Sequence, residues 1–136
     1  VASVVPGCER GFHACQAIGF ERDGDLVAGV VYHNWSPETG VIELSAGSII
    51  RNWLTRERLL TIFDYPFAIG CRLAIARTSE RNERARRIWR SLGSDEFIIP
   101  ALRGPHEAEI IFTLSADQWL AYVKRTKLDR ALCRKQ

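Results

Sequence analysis

Five arginines, Arg81, Arg84, Arg86, Arg87 and Arg90, crowd a segment whose apolar residues Ala85, Ile88, Trp89 and Leu92 recur at three- and four-residue spacing. That spacing predicts an amphipathic helix with guanidinium groups on its polar face. Thr78, Ser79 and Asn82 supply turn and N-cap chemistry ahead of it, Gly93 closes it, and Leu73, Ala74, Ile75 and Ala76 before the turn read as strand. A helix that starts at a strand end, with guanidinium groups beside its positive pole, suits an anion. Two other residues could move a proton. Glu43 falls on the side of its strand opposite Ile42 and Leu44, and His33 stands near a strand end. Each also reads as an ordinary strand residue, an ion-paired carboxylate or a satisfied histidine.

The remaining reactive side chains do not cluster. Cys8, Cys15, Cys71 and Cys133 match neither a zinc spacing nor a Cys-x-x-Cys redox pair, and His13, His33 and His106 are scattered, so reduced structural thiols and no metal are expected. The net charge of +3 is too small to make nucleic acid the default partner. It is unevenly spread, with Lys124 to Gln136 carrying +5 and the rest of the chain −2. A solvated terminal helix accounts for that tail, and contact with an acidic partner is the alternative. At 136 residues and 46% hydrophobic composition the chain is of single-domain size. It has no apolar run near the roughly 18 residues of a membrane helix and no signal peptide before Pro6-Gly7, so a cytoplasmic protein is expected. The first residue is Val, and an incomplete N-terminus lacking a strand or helix is allowed for.

The elements that must position these residues follow from patterning. After a short helical opening at Val1 to Val5, Ala14 to Phe20 runs into Asp23-Gly24-Asp25, a hairpin signal. Leu26 to Tyr32 is apolar on both sides, as in a central strand, and Pro37 to Gly40 turns the chain into a third strand at Val41 to Ala46, with Ile42, Leu44 and Ala46 on one face. Thr55 caps a helix bearing Leu59, Leu60, Ile62, Phe63 and Phe67, kinked or ended by Pro66 and closed by Gly70. After the strand, turn and helix of the opening paragraph come strands at Phe97 to Leu102 and Ile110 to Leu114, joined around Gly104-Pro105. Ser115 and Gln118 form a capping box for a last helix carrying Trp119, Leu120 and Val123. A meander followed by strand-helix alternation predicts an α/β (α+β) domain: a mixed, mostly antiparallel sheet with helices on both faces. A crossover through Thr55 to Gly70 sets the strand at Leu73 parallel to that at Val41, and the crevice where those strands end is the expected ligand site.

The run Asn82-Glu-Arg-Ala85-Arg-Arg-Ile88-Trp89-Arg-Ser-Leu-Gly93 resembles the second conserved block of the GCN5-related N-acetyltransferases, Asn-x-x-Ala-x-x-Leu-Tyr-x-x-x-Gly-Phe. The hairpin Gly24 to Gly29 ahead of a strand, a turn and a helix agrees with that family's order of elements over almost the whole chain. The wording Phe63-Asp64-Tyr65-Pro66-Phe67 is similar to small bacterial and prophage members. The resemblance implies acetyl-CoA as cosubstrate, direct transfer to an unidentified amine acceptor and a single domain over residues 1–136. A homodimer is compatible with it.

Residue by residue, the resemblance implies that Ser45, Ala46 and Gly47 offer main-chain groups to the pantetheine arm. Arg51 falls on the Arg that opens the pyrophosphate turn, and Thr55 lies within it. The turn's two small residues become Leu54 and Arg56, which removes the conformational freedom and close approach that Gly gives a phosphate. Arg51 or Arg56 then replaces lost amide contacts with charge-assisted ones. Asn82 caps its helix and contacts the acyl donor, with Arg84 on the same face. The family's Tyr acid falls on Trp89, whose indole gives up no proton at working pH, so Trp89 is core or pocket wall. Glu43 is the implied general base, with His33 in reserve. A catalytically inactive module for binding or assembly is the competing expectation, because both losses fall in the parts that handle the cofactor.

Overall fold

The computed structural model describes residues 15–134 of the chain, and the side chains of residues 15–128. The expectations for Val1 to Val5, Pro6-Gly7, Cys8, His13, Ala14 and the side chain of Cys133 lie outside what is described, as do the side chains of the basic tail beyond Leu128. Six strands and three helices alternate as β1 (Cys15–Arg22), β2 (Asp25–Ser36), β3 (Val41–Ser48), α1 (Arg56–Ala68), β4 (Leu73–Ser79), α2 (Glu83–Ser91), β5 (Asp95–Ile99), β6 (Glu109–Ser115) and α3 (Ala116–Arg134). The strands form one sheet in the order β1-β2-β3-β4-β6-β5. The chain divides into two compact units between Ala76 and Arg77.

In the first unit β1, β2 and β3 are an antiparallel meander. Asp23 (φ 54°) and Gly24 (φ 86°) are both left-handed between the paired Arg22 and Asp25, the two-residue turn whose twist matches the strands. Even-numbered positions of β2 and β3 bury Val30, Tyr32, Ile42 and Leu44, and α1 sets Leu59, Ile62, Phe63 and Pro66 into the core. Ala46, on the same face by alternation, is exposed.

Pro66 sits inside α1 rather than ending it. Its ring removes the N–H that would bond the Ile62 carbonyl one turn back, and the Tyr32 hydroxyl donates to that carbonyl at 2.5 Å instead. The buried phenol is held well above its ordinary value, first by desolvation and then by Tyr65, whose ring lies 4.8 Å away. Gly70 (φ 94°) closes the helix: its N–H bonds the Phe67 carbonyl, and the Cys71 N–H bonds that of Pro66. At the other end the Thr55 hydroxyl accepts the Arg58 N–H at 3.2 Å. Thr55→Ala is expected to cost about 1 kcal/mol in urea unfolding, and an unchanged midpoint would show that the cap is idle.

In the second unit β6 buries Ile110, Phe112 and Leu114, with Leu92 and Trp89 from the α2 region beside them. Ser115 and Gln118 make both bonds of the capping box, Gln118 N–H to Ser115 Oγ at 3.1 Å and Ser115 N–H to Gln118 Oε1 at 2.8 Å. One expectation needs correcting. The strand placed at Phe97 to Leu102 is Asp95–Ile99, because Pro100 lacks a ladder donor and Ala101 is left-handed (φ 58°). On α3, Leu120 is exposed and Tyr122 is buried with Trp119, their rings stacked at 5.5 Å.

Candidate active site

The chemistry of the first unit begins in the β2-β3 register. From Ala28↔Ser48 to His33↔Glu43 the pairing is even, and it then shifts before Ser36↔Val41, so Asn34 and Trp35 together face Ile42. Asn34 adopts φ 53° in this bulge. His33 is thereby set directly across from Glu43, with Ser45 two positions farther along β3 on the same face. His33 Nε2 lies 2.9 Å from Ser45 Oγ and 3.5 Å from Glu43 Oε2. Both side chains of the His33–Glu43 pair are largely buried, 10% and 13% exposed.

Burial holds His33 below the ordinary imidazole value, against the upward pull of the Glu43 carboxylate. Its stabilising contribution as a neutral ring is therefore complete above the unfolded value of 6.5 and is lost as pH falls through the lower folded value. The urea midpoint of His33→Gln is expected to fall less between pH 7.5 and 5.5 than that of the parent. Equal falls would show that His33 is not titrating as a buried ring.

Ser45 and Glu43 address the same ring nitrogen. A Ser-His-acid relay needs hydroxyl and carboxylate on opposite nitrogens, so this arrangement favours a carboxylate base over an acylated serine. Past this point β3 leaves β4. Their parallel register covers Val41↔Leu73, Ile42↔Ala74 and Glu43↔Ile75, and among the described residues no ladder pair continues it along Leu44 to Ser48. Ser45, Ala46 and Gly47 keep β2 on one side, and their remaining main-chain groups face the fork.

The loop from β3 to α1 is held by Trp53, which is buried with its ring 5.5 Å from that of Phe20. Arg58 lies over the same Phe20 ring at 5.3 Å and donates to the Trp53 carbonyl at 2.5 Å, so its charge is committed. Among the described residues the only left-handed non-glycine positions are Asp23, Asn34 and Ala101. Leu54 and Arg56 therefore occupy their places without backbone strain, and the loop turns by another route than a glycine turn would use. Thr55 takes the Arg58 and Leu59 N–H groups with its hydroxyl and carbonyl, which leaves the Arg56 and Glu57 N–H groups as the helix-start donors. Arg51 is exposed and Arg56 partly so, while Glu57 puts a carboxylate into the first turn.

The second unit holds Asn82, Arg84 and Trp89. Asn82 Oδ1 accepts the Ala85 N–H at 3.1 Å as the α2 cap, and its amide NH2 is not used in that bond. Three of the five arginines are ion-paired, two of them to one carboxylate, so the cationic face is only partly free. Arg81 pairs with Glu107 at 3.1 Å, while Arg86 and Arg90 share Glu96 at 3.4 and 2.9 Å. Arg90, ahead of Arg86, holds the Glu96 carboxyl below the usual range. Arg84 remains exposed. Trp89 is core, stacked on Phe112 at 5.6 Å. Sequence reasoning missed the Ser45 hydroxyl and the Trp53 anchor; the i, i+2 spacing of Glu43 and Ser45 was the available signal for the first.

No family model matches the chain, and no curated protein matches it by sequence. Solved structures do. One, a proposed acetyltransferase, superposes with a TM-score of 0.74 at 15% identity, over 94% of this chain and 78% of the other. A proposed acetyltransferase of the GNAT family from Desulfovibrio desulfuricans gives 0.64 at 21% identity, over 74% and 68%. The chain has the fold of the GCN5-related N-acetyltransferases. A third structure of this fold, yncA from Salmonella typhimurium, a proposed acetyltransferase solved with its cofactor acetyl-CoA, gives 0.64 at 18% identity, over 75% and 65%. Among the described residues no group of three His, Cys, Asp or Glu side chains could hold a metal ion, and no helix is long and apolar enough to cross a membrane.

Proposed function

We propose that the chain is an acetyl-CoA-dependent N-acetyltransferase that passes the acetyl group to a primary amine by direct attack in a ternary complex. The observation that carries this reading is the parting of β3 from β4 just past Glu43, with His33, Glu43 and Ser45 at the fork. Main-chain groups of Ser45, Ala46 and Gly47 align the pantetheine amides and polarise the acetyl carbonyl. Glu43 takes the proton of the attacking amine, directly or through one water. The Arg56 and Glu57 amides at the start of α1, with the Arg51 and Arg56 side chains, receive the pyrophosphate and offset the glycines that Leu54 and Arg56 replace. The thiolate departs without an acid from Trp89.

Isothermal titration is expected to show acetyl-CoA binding, weakened about tenfold in Arg56→Ala, the loss of one charge-assisted hydrogen bond. No heat at millimolar acetyl-CoA would end this reading. The presence of Glu57 in the first turn, beside Leu54 and Arg56, favours a second reading, a binding or assembly module on the same fold. It requires thiol release with mixed amines and peptides to stay at background.

A further inference from the structure

We infer that Ser45 and His33 form a positioning pair for Glu43: the Ser45 hydroxyl accepts the Nε2 proton of a neutral His33, whose same N–H edge faces the Glu43 carboxylate and fixes it on the sheet face. This rests on the acetyl-transfer reading and goes beyond it by giving two further side chains a role. The argument is one of proton placement. A neutral imidazole carries a single N–H, and Nε2 has two oxygens near it, Ser45 Oγ at 2.9 Å and Glu43 Oε2 at 3.5 Å. With the proton on Nδ1, the Nε2 lone pair would confront a carboxylate oxygen. With the proton on Nε2, one N–H lies between a hydroxyl and a carboxylate, and both contacts are attractive.

The pair also answers a mechanical need. A glutamate has three side-chain torsions, and a base serves only in the rotamer that meets the amine. His33 is fixed by its strand and by burial, so it can hold the carboxylate where a solvated partner could not. The register places Cys15 of β1 on one side of His33 and Glu43 of β3 on the other.

The test combines a spectrum and kinetics on the full chain. Long-range proton–nitrogen NMR at pH 7.5 is expected to show His33 protonated on Nε2. With acetyl-CoA and a panel of primary amines, Ser45→Ala is expected to lower kcat about tenfold at unchanged KM for acetyl-CoA, and Ser45→Thr to recover most of the loss. His33→Gln, whose side-chain amide can donate from the same place, should lose less than His33→Leu. An Nδ1-protonated His33, or full kcat in Ser45→Ala, overturns the inference. A parent chain that binds acetyl-CoA but shows no turnover removes the positioning role. Absent acetyl-CoA binding removes the underlying reading, and the NMR result separates these cases from a wrong proton placement.

Discussion

Glu43→Gln is expected to reduce kcat by about 10²- to 10⁴-fold, the usual share of a positioned general base, while leaving KM for acetyl-CoA within about twofold. The substitution is nearly isosteric. It keeps a side-chain oxygen that can turn toward the His33 Nε2 edge and so leaves packing at this largely buried position in place. What it removes is the capacity to accept a proton from the amine. A parallel loss of thermal stability would point to a structural ion pair instead, so unfolding should be followed beside thiol release. Turnover that persists in Glu43→Gln would assign the proton to another acceptor.

Tyr32→Phe is expected to destabilise the chain by about 1–3 kcal/mol, because the Ile62 carbonyl then has neither the amide that Pro66 lacks nor the phenol that replaces it. The cause can be isolated in a double-mutant cycle with Pro66→Ala. In that background residue 66 regains an N–H, the helix can satisfy Ile62 by itself, and the cost of Tyr32→Phe should shrink by at least about 0.5 kcal/mol. Urea midpoints of the four proteins decide it. Equal costs in both backgrounds would mean that the hydroxyl stabilises through something other than this carbonyl.

Much of the fold was legible because local chemistry and tertiary context agreed. Asp23-Gly24 demanded a left-handed pair, Thr55 and Asn82 were oxygen caps ahead of apolar periodicity, and Ser115 with Gln118 met both halves of a box. The misses have physical reasons. The run to Leu102 suggested a longer strand, yet Pro100 lacks a ladder donor and Ala101 is left-handed, so β5 stops at Ile99. The arginines of α2 read as free charge because Glu96 and Glu107, which pair with three of them, lie outside the helix. Glu43 and His33 were each visible as candidates but not as a pair. Counting back from the turn on an even ladder from Ser36↔Val41 sets His33 across from Leu44, on the wrong face. The bulge at Asn34 corrects this, and nothing in a strand pattern announces it.

That bulge also bears on which changes in chain length the hairpin can absorb. Asn34 and Trp35 share one partner, so losing either residue would leave a single one opposite Ile42 and keep every pair from His33↔Glu43 to Ala28↔Ser48 where it is. A deletion at Val30 or Val31 has no such slack. It would push one end of β2 out of phase and exchange the Tyr32 face for the His33 face. The outer end of this hairpin can thus shorten by one residue across descendants while the face that pairs His33 with Glu43 and the Tyr32 bond to α1 are inherited together.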